Sequence, residues 1–231
     1  MNVADMLAHA QDLERGGRLD DAEAAYRAVL ARIPGEVDAL HLLGILVHRR
    51  GRTVEAIELL EKASKRAPRD VHVLNNLGQL LKAVGRLDDA EKRFRRAVAF
   101  APGFADAHNN LGTTLAARCR TDEALACFRR AIEAEPGHTL AAYNLATLLL
   151  KNDQPDEAIP LLGRLTGTGP FAADARNNLG FALFETGEPE PAEQHFRSAL
   201  EIDPAHADAL VNIGRVLAER HEAAAAEDYF R

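Results

Sequence analysis

Six prolines stand on a strict ruler: Pro34, Pro68, Pro102, Pro136, Pro170 and Pro204 are each 34 residues apart. Four others, Pro155, Pro160, Pro189 and Pro191, fall off it. A single irregular core has no use for such a period, whereas a chain of stacked supersecondary units does. With the ruled proline at position 32, repeats begin at Val3, Val37, Val71, Ala105, Thr139, Ala173 and Ala207, and the seventh is incomplete. Residues 1–231 therefore read as one solenoid without linkers.

The other recurring positions give each repeat its form. Position 7 holds Leu43, Leu77, Leu111, Leu145, Leu179 and Ile213, and position 11 holds Leu13, Val47, Leu81, Leu115, Leu149, Leu183 and Leu217. Together with positions 4 and 8 they follow the 3.6-residue period and predict one helix. Positions 20, 24 and 27 predict a second. Position 20 is alanine throughout, from Ala22 to Ala226, and position 24 is Tyr26, Leu60, Phe94, Phe128, Leu162, Phe196 and Phe230. Position 8 is Gly44, Gly78, Gly112, Gly180 and Gly214, with Ala146 in the fifth repeat. Glycine and alanine let two helices approach closely, and the large residue at position 24 fills the space beside them. Gly17, Gly51, Gly85 and Gly187 at position 15 supply a left-handed residue that ends the first helix. Acidic starts such as Asp88-Asp89 and Thr121-Asp122-Glu123 open the second, and the proline closes it. The expected fold is all-α, a right-handed solenoid of stacked antiparallel hairpins, each burying its apolar face against the next. Aromatic residues are only 5% and Trp is absent, so Ala and Leu must fill this core.

The run Leu77-Gly78, Leu81, Gly85, Ala90, Phe94, Ala97, Pro102 resembles the tetratricopeptide repeat, and the likeness extends over essentially the whole chain. It departs at position 4, where that repeat favours tryptophan and this chain has Met6, Leu40, Leu74, His108, Ala142, Arg176 and Leu210. Leucine also replaces the usual tyrosine at position 11. This leucine-rich variant resembles the repeats preceding the catalytic region of O-GlcNAc transferases and Spindly-type proteins.

The resemblance implies that first helices line a concave groove exposing positions 2, 5, 6, 9, 12 and 13. Position 6 reads Asn76, Asn110, Asn144, Asn178 and Asn212, and position 5 adds Asn75, Asn109 and Asn177. Asparagine is a poor helix former, so its recurrence in one register needs a reason. Two uses fit. A primary amide can pair with both groups of an extended peptide backbone, or the amides can tie neighbouring first helices together. The groove also changes along its length, from His72, Gln79, Asp106 and Thr113 to Tyr143, Leu150, Phe181 and Phe184. The aromatic residues are candidate anchors for a partner, or are covered by adjacent repeats. Chaperone-tail-binding relatives need lysine or arginine where this groove has mostly asparagine.

Several functions are not supported. Lys plus Arg is 28 against 35 for Asp plus Glu, a net charge of −7, which disfavours nucleic acid. The basic run Lys92, Arg93, Arg95, Arg96 recurs weakly as Arg129-Arg130 and Arg197, so it belongs to the repeat as a solvated face. An RNA-binding helical repeat would have a period of about 35 and a basic surface. His41 and His48 share a helix face without the further ligands a metal needs. Cys119 and Cys127 fit no metal or redox spacing. No catalytic motif is present, so no cofactor, metal or catalytic residue is expected. No signal peptide or membrane span is evident, and a cytoplasmic protein is expected.

The expected function is a protein-interaction scaffold holding an extended segment in its groove. The alternative is a substrate-recruiting arm of a larger O-GlcNAc-transferase-like enzyme, because the seventh repeat stops at Arg231 before its proline position. Tyr229 and Phe230 are then expected to be exposed, and an uncapped apolar end invites self-association. In the fifth repeat Pro160, Gly163, Gly167 and Gly169 interrupt the second helix, which predicts a kink or soft joint before the sixth repeat.

Overall fold

A computed structural model describes residues 2–230, with the side chains at 223, 224, 228 and 230 left aside. The Phe230 side chain at the seventh position 24, expected to be exposed, therefore lies outside what is described, as does Arg231. The described residues form fourteen helices and no strand. In chain order they are α1 (Val3–Arg15) and α2 (Leu19–Arg32), α3 (Val37–Arg49) and α4 (Thr53–Arg66), α5 (Val71–Ala83) and α6 (Leu87–Phe100), α7 (Ala105–Ala117) and α8 (Thr121–Ala134). There follow α9 (Thr139–Lys151) and α10 (Pro155–Gly163), α11 (Ala172–Glu185) and α12 (Pro189–Ile202), α13 (Ala207–Glu219) and α14 (Ala223–Phe230). The all-α class and the two-helix repeat predicted from the prolines are what is found.

The contacts gather the chain into two compact units, Met1–Arg120 and Thr121–Arg231, which are treated separately. In unit 1, α1 pairs with α2, α3 with α4 and α5 with α6, and each second helix packs on the next first helix. In unit 2, α9 pairs with α10, α11 with α12 and α13 with α14, again chained through the second helices. First helices also touch one another, α5 with α7 in unit 1, and α11 with both α9 and α13 in unit 2.

Close approach within a hairpin is set by position 8 against position 24. A Cβ added to Gly78 would lie 2.6 Å from Cε1 of Phe94, and one added to Gly180 would lie 2.7 Å from Cε1 of Phe196. The position-20 alanines from Ala22 to Ala192 are fully buried. A second buried stripe follows position 3: Ala39, Val73, Ala107, Ala141, Ala175 and Ala209 have no exposed surface. It faces the preceding repeat, as Ala107 does in packing on Leu74 and Ala97. The first helix is thus buried on two sides, toward its own partner and toward the previous second helix. Tyr229, expected to be exposed, is half-buried against a cluster that includes Phe196, Ile213 and Leu217.

Every first helix ends in the same way. The position-16 N–H reaches back to the position-11 carbonyl and the position-15 N–H to the position-12 carbonyl, as with Arg86 to Leu81 and Gly85 to Lys82. This double bond pattern needs a left-handed residue at position 15. Gly17, Gly51, Gly85 and Gly187 have φ of 75°, 83°, 79° and 86°. Cys119, Asp153 and His221 occupy the same position at φ 57°, 57° and 63°. A side chain there is strained by about 1–2 kcal/mol, part of which glycine returns as unfolded-chain entropy. Cys119→Gly is therefore expected to stabilise the chain by about 0.5–1 kcal/mol in thermal unfolding, and an unchanged or lower Tm would contradict it.

The fifth repeat departs from its siblings. α10 has 9 residues where α12 has 14. Pro160 is accommodated inside it, and the helix stops at Gly163 instead of running on to the position-32 proline. Arg164 then ties the irregular segment down by donating to the Pro136 carbonyl at 3.1 Å. The tie repeats elsewhere, since Arg96 donates to the Pro68 carbonyl at 2.6 Å.

Three repeat junctions carry a buried carboxylate at position 21. Glu23 is 4% exposed, Glu91 7% and Glu193 5%. Each is held by an arginine four residues on, Arg27, Arg95 or Arg197. Each is also held from the next repeat at position 14, by Arg50, Arg118 or Arg220. Arg52 joins at Glu23, and Arg120 at 2.7 Å from Glu91. Where position 21 is apolar, at Ile57, Leu125 and Ile159, the next position 14 is Val84, Asn152 or Thr186. Clamped junctions follow the first, third and sixth repeats and unclamped ones the second, fourth and fifth, with arginine at position 14 only where a carboxylate awaits it. Hydrogen bonding from Arg52 lowers the Glu23 pKa to about 2. Burial raises that of Glu91, but Arg95 and Arg120 outweigh it and hold the carboxyl below its ordinary range.

Candidate functional site

The first helices carry two rows of side chains, each linking a repeat to the next. The inner row joins position 5 to position 6 of the following repeat. In unit 1, Asn76 Nδ2 lies 2.7 Å from His41 Nε2, and Asn110 Nδ2 donates to Asn75 Oδ1 at 2.9 Å. In unit 2, Asn212 Nδ2 donates to Asn177 Oδ1 at 3.0 Å, and Asn177 donates to Asn178 Oδ1 at 3.3 Å. Tyr143 and Asn178 occupy the equivalent places one repeat earlier. Burial raises the Tyr143 pKa, with Asp174 adding to the rise and Asn178 opposing it.

The expected amides thus fall into two groups. Asn75, Asn109 and Asn177 at position 5 are buried. Asn76, Asn110, Asn144, Asn178 and Asn212 at position 6 are half-buried. For Asn76, Asn110 and Asn212, one N–H is committed to the neighbouring repeat, and among the described residues no donor reaches the carbonyl oxygen. The pairing spans one repeat plus one residue. It fixes the amide plane of each and ties neighbouring first helices together.

The outer row joins position 12 to position 9 of the next repeat. In unit 1, Lys82 donates to Thr113 Oγ1 at 2.9 Å, and burial lowers the Lys82 pKa. His48 and Gln79, one repeat earlier, border a cavity of about 140 Å³ completed by Ile45, Leu60, Asn76 and Leu80. His48 Nδ1 lies 3.1 Å from Thr53 Oγ1, and burial lowers the His41 pKa. In unit 2 this row is aromatic. Phe181 and Phe184 are half-buried, and the Arg215 guanidinium sits 5.8 Å and 5.0 Å from their ring centroids. Tyr143 stacks on Phe171 at 4.9 Å and 13°, so its ring is engaged by the segment that follows α10. His72 meets Phe104 edge-on at 5.2 Å.

Other sequence candidates are absorbed by the fold. In the basic run, Lys92 pairs with Asp89, Arg95 with Glu91 and Arg96 with the Pro68 carbonyl. Among the described residues no cluster of three metal-ligating side chains forms, and no helix is long and apolar enough to cross a membrane. Two signals were missed in the sequence: the pairing of positions 5 and 6 across repeats, and that of positions 12 and 9. Both become visible once the chain is written in rows of 34 and neighbouring rows are compared.

Models of the tetratricopeptide repeat match residues 7–71, 143–207 and 182–231, a second set matches 47–117, and a third 105–138. Among solved structures, YrrB, a TPR protein with an unusual peptide-binding site, is 28% identical. It aligns over 75% of this chain and 89% of its own, at a TM-score of 0.67. PilF of Pseudomonas aeruginosa is 18% identical over 90% of this chain and 94% of its own, at a TM-score of 0.77. A tetratricopeptide repeat protein of Parabacteroides merdae is 18% identical over 99% of this chain and 90% of its own, at a TM-score of 0.73. A search of curated proteins finds no match. The repeat models together cover nearly the whole chain, which belongs to the tetratricopeptide-repeat family.

Proposed function

We propose that the chain is a protein-interaction scaffold whose first-helix faces hold an extended segment of another protein. The observation that carries this reading is the position-6 amide. In Asn110 and Asn212 it is oriented by its bond to the neighbouring repeat, which uses an N–H and leaves the carbonyl oxygen for a peptide N–H. Because backbone pairing does not depend on the partner's side chains, the inner row supplies grip. The outer row, with Gln79 and Lys82 in unit 1 and Phe181 and Phe184 in unit 2, supplies selectivity. The likeness to YrrB, described as having a peptide-binding site, supports the same use of the fold.

The test starts from peptides selected out of a random display library on the intact chain. Asn76, Asn110, Asn144 and Asn178 are then replaced together by alanine. With about 0.5–1.5 kcal/mol at stake per lost bond, affinity is expected to fall at least about tenfold while circular dichroism shows the helices retained. Unchanged affinity at retained helicity would mean that the amides only tie the repeats together.

A further inference from the structure

Charge divides the chain as sharply as groove chemistry does. Residues 1–120 carry 19 Lys plus Arg against 16 Asp plus Glu, and residues 121–231 carry 9 against 19, a balance of −10. A surface of this sign draws cationic segments and repels acidic ones. On the first-helix face of unit 2, α11 places Phe181, Phe184 and Glu185 three and four residues apart, hence side by side. On α13, Val211 and Arg215 share a face in the same way. The Arg215 guanidinium lies over Phe184 and Phe181 at 5.0 Å and 5.8 Å and pairs with Glu185 at 3.4 Å. Two ring faces and a carboxylate make a seat for a guanidinium, and Arg215 shows that the seat accepts one. Val211 is 47% exposed on the same face, ready to meet an aliphatic side chain. Asp174 and Asp208 add exposed carboxylates at position 2 of their repeats.

We propose that this face takes a cationic segment, one in which an arginine stands next to an aliphatic residue. The partner's arginine occupies the Phe181, Phe184 and Glu185 seat in exchange for Arg215, and its aliphatic neighbour covers Val211. The Arg215 side chain is 43% exposed, so it moves into solvent without leaving a buried charge behind. Within its unit it acts as an internal competitor for the seat. This assignment rests on the reading of the first-helix faces as docking surfaces.

Two short fluorescein-labelled probes test it on the full chain by fluorescence anisotropy. One carries Arg-Leu pairs spaced by Gly and Ser, and the other has Glu in place of each Arg. The Arg probe is expected to bind about tenfold more tightly than the Glu probe. Phe184→Ala is expected to weaken the Arg probe about fivefold, and Arg215→Ala to tighten it by a similar factor. Because Phe184 also packs on the core, Glu185→Gln serves as a second variant, expected to weaken binding about threefold at unchanged helicity. An Arg probe indifferent to all three substitutions, or a Glu probe that binds equally well, overturns the assignment, as does a failure of both probes to bind. Equal Glu-probe binding that the asparagine-to-alanine variant abolishes leaves the docking face standing and removes only its cationic preference. Binding that no first-helix substitution alters removes both.

Discussion

Gly78→Ala is expected to destabilise the chain by about 1–3 kcal/mol, the usual cost of forcing a methyl group into a filled core. The added Cβ would meet three atoms of the Phe94 ring between 2.6 Å and 2.9 Å, and Phe94 is fully buried. A planar ring cannot flex away at one atom, so either α5 and α6 separate or the ring leaves its rotamer. Gly44→Ala is the built-in comparison. Its Cβ would lie 3.1 Å from Cγ of Leu60, an aliphatic side chain with more room to adjust, and a smaller loss is expected. The fifth repeat shows the compensated form, with Ala146 and Leu162 at the same two positions, both buried. Adding Phe94→Leu to Gly78→Ala should therefore recover much of the loss in urea denaturation. Equal stabilities for wild type and Gly78→Ala would mean that position 8 does not set the hairpin spacing.

Removing Arg118 and Arg120 together, each to alanine, is expected to cost about 2–4 kcal/mol. The reason is that Glu91 would remain buried with Arg95 alone. Converting Glu91 to isoleucine in that variant recreates the apolar junction seen at Ile57 and Val84, and most of the loss should return. A triple variant no more stable than the double one would show that the arginines matter for something other than neutralising Glu91. The clamps also set a pH dependence. Glu23 titrates at about 2 instead of 4.5, and Glu91 is shifted the same way. A folded pKa below the unfolded one adds stability that is complete above about pH 4.5 and disappears as pH falls toward 2. Acid unfolding of the Glu91→Ile, Arg118→Ala, Arg120→Ala variant should accordingly be less steep than that of wild type.

The proline ruler made the hairpin period legible, and the alanines at position 20 and large residues at position 24 located the hairpin core. The stripe at position 3 was equally present in the letters, as Ala39, Val73, Ala107 and their counterparts, but alanine is a weak sign of burial when read alone. Cys119, Asp153 and His221 hid the left-handed position, because a side chain there contradicts local preference and only the surrounding bonds impose it. The glutamate clamps join residues 27 and 29 apart, a spacing with no meaning within one helix. They appear only when one hairpin is laid on the next. Pro160, Gly163, Gly167 and Gly169 predicted a kink or soft joint before the sixth repeat. The second helix stops at Gly163, where glycines at 163, 167 and 169 disfavour a further helical turn. The asparagines offered two rival roles, and their hydrogen bonds display the tie between neighbouring first helices.

The most direct test of the account is to place a photo-crosslinking residue, one at a time, at four exposed sites and irradiate with a selected peptide bound. Gln79 and Val211 lie on first helices, and Glu58 and Gln194 on second helices. Crosslinks at Gln79 or Val211 with none at Glu58 and Gln194 are predicted. Crosslinks confined to Glu58 and Gln194 would place the partner on the opposite face and contradict the proposed docking surface.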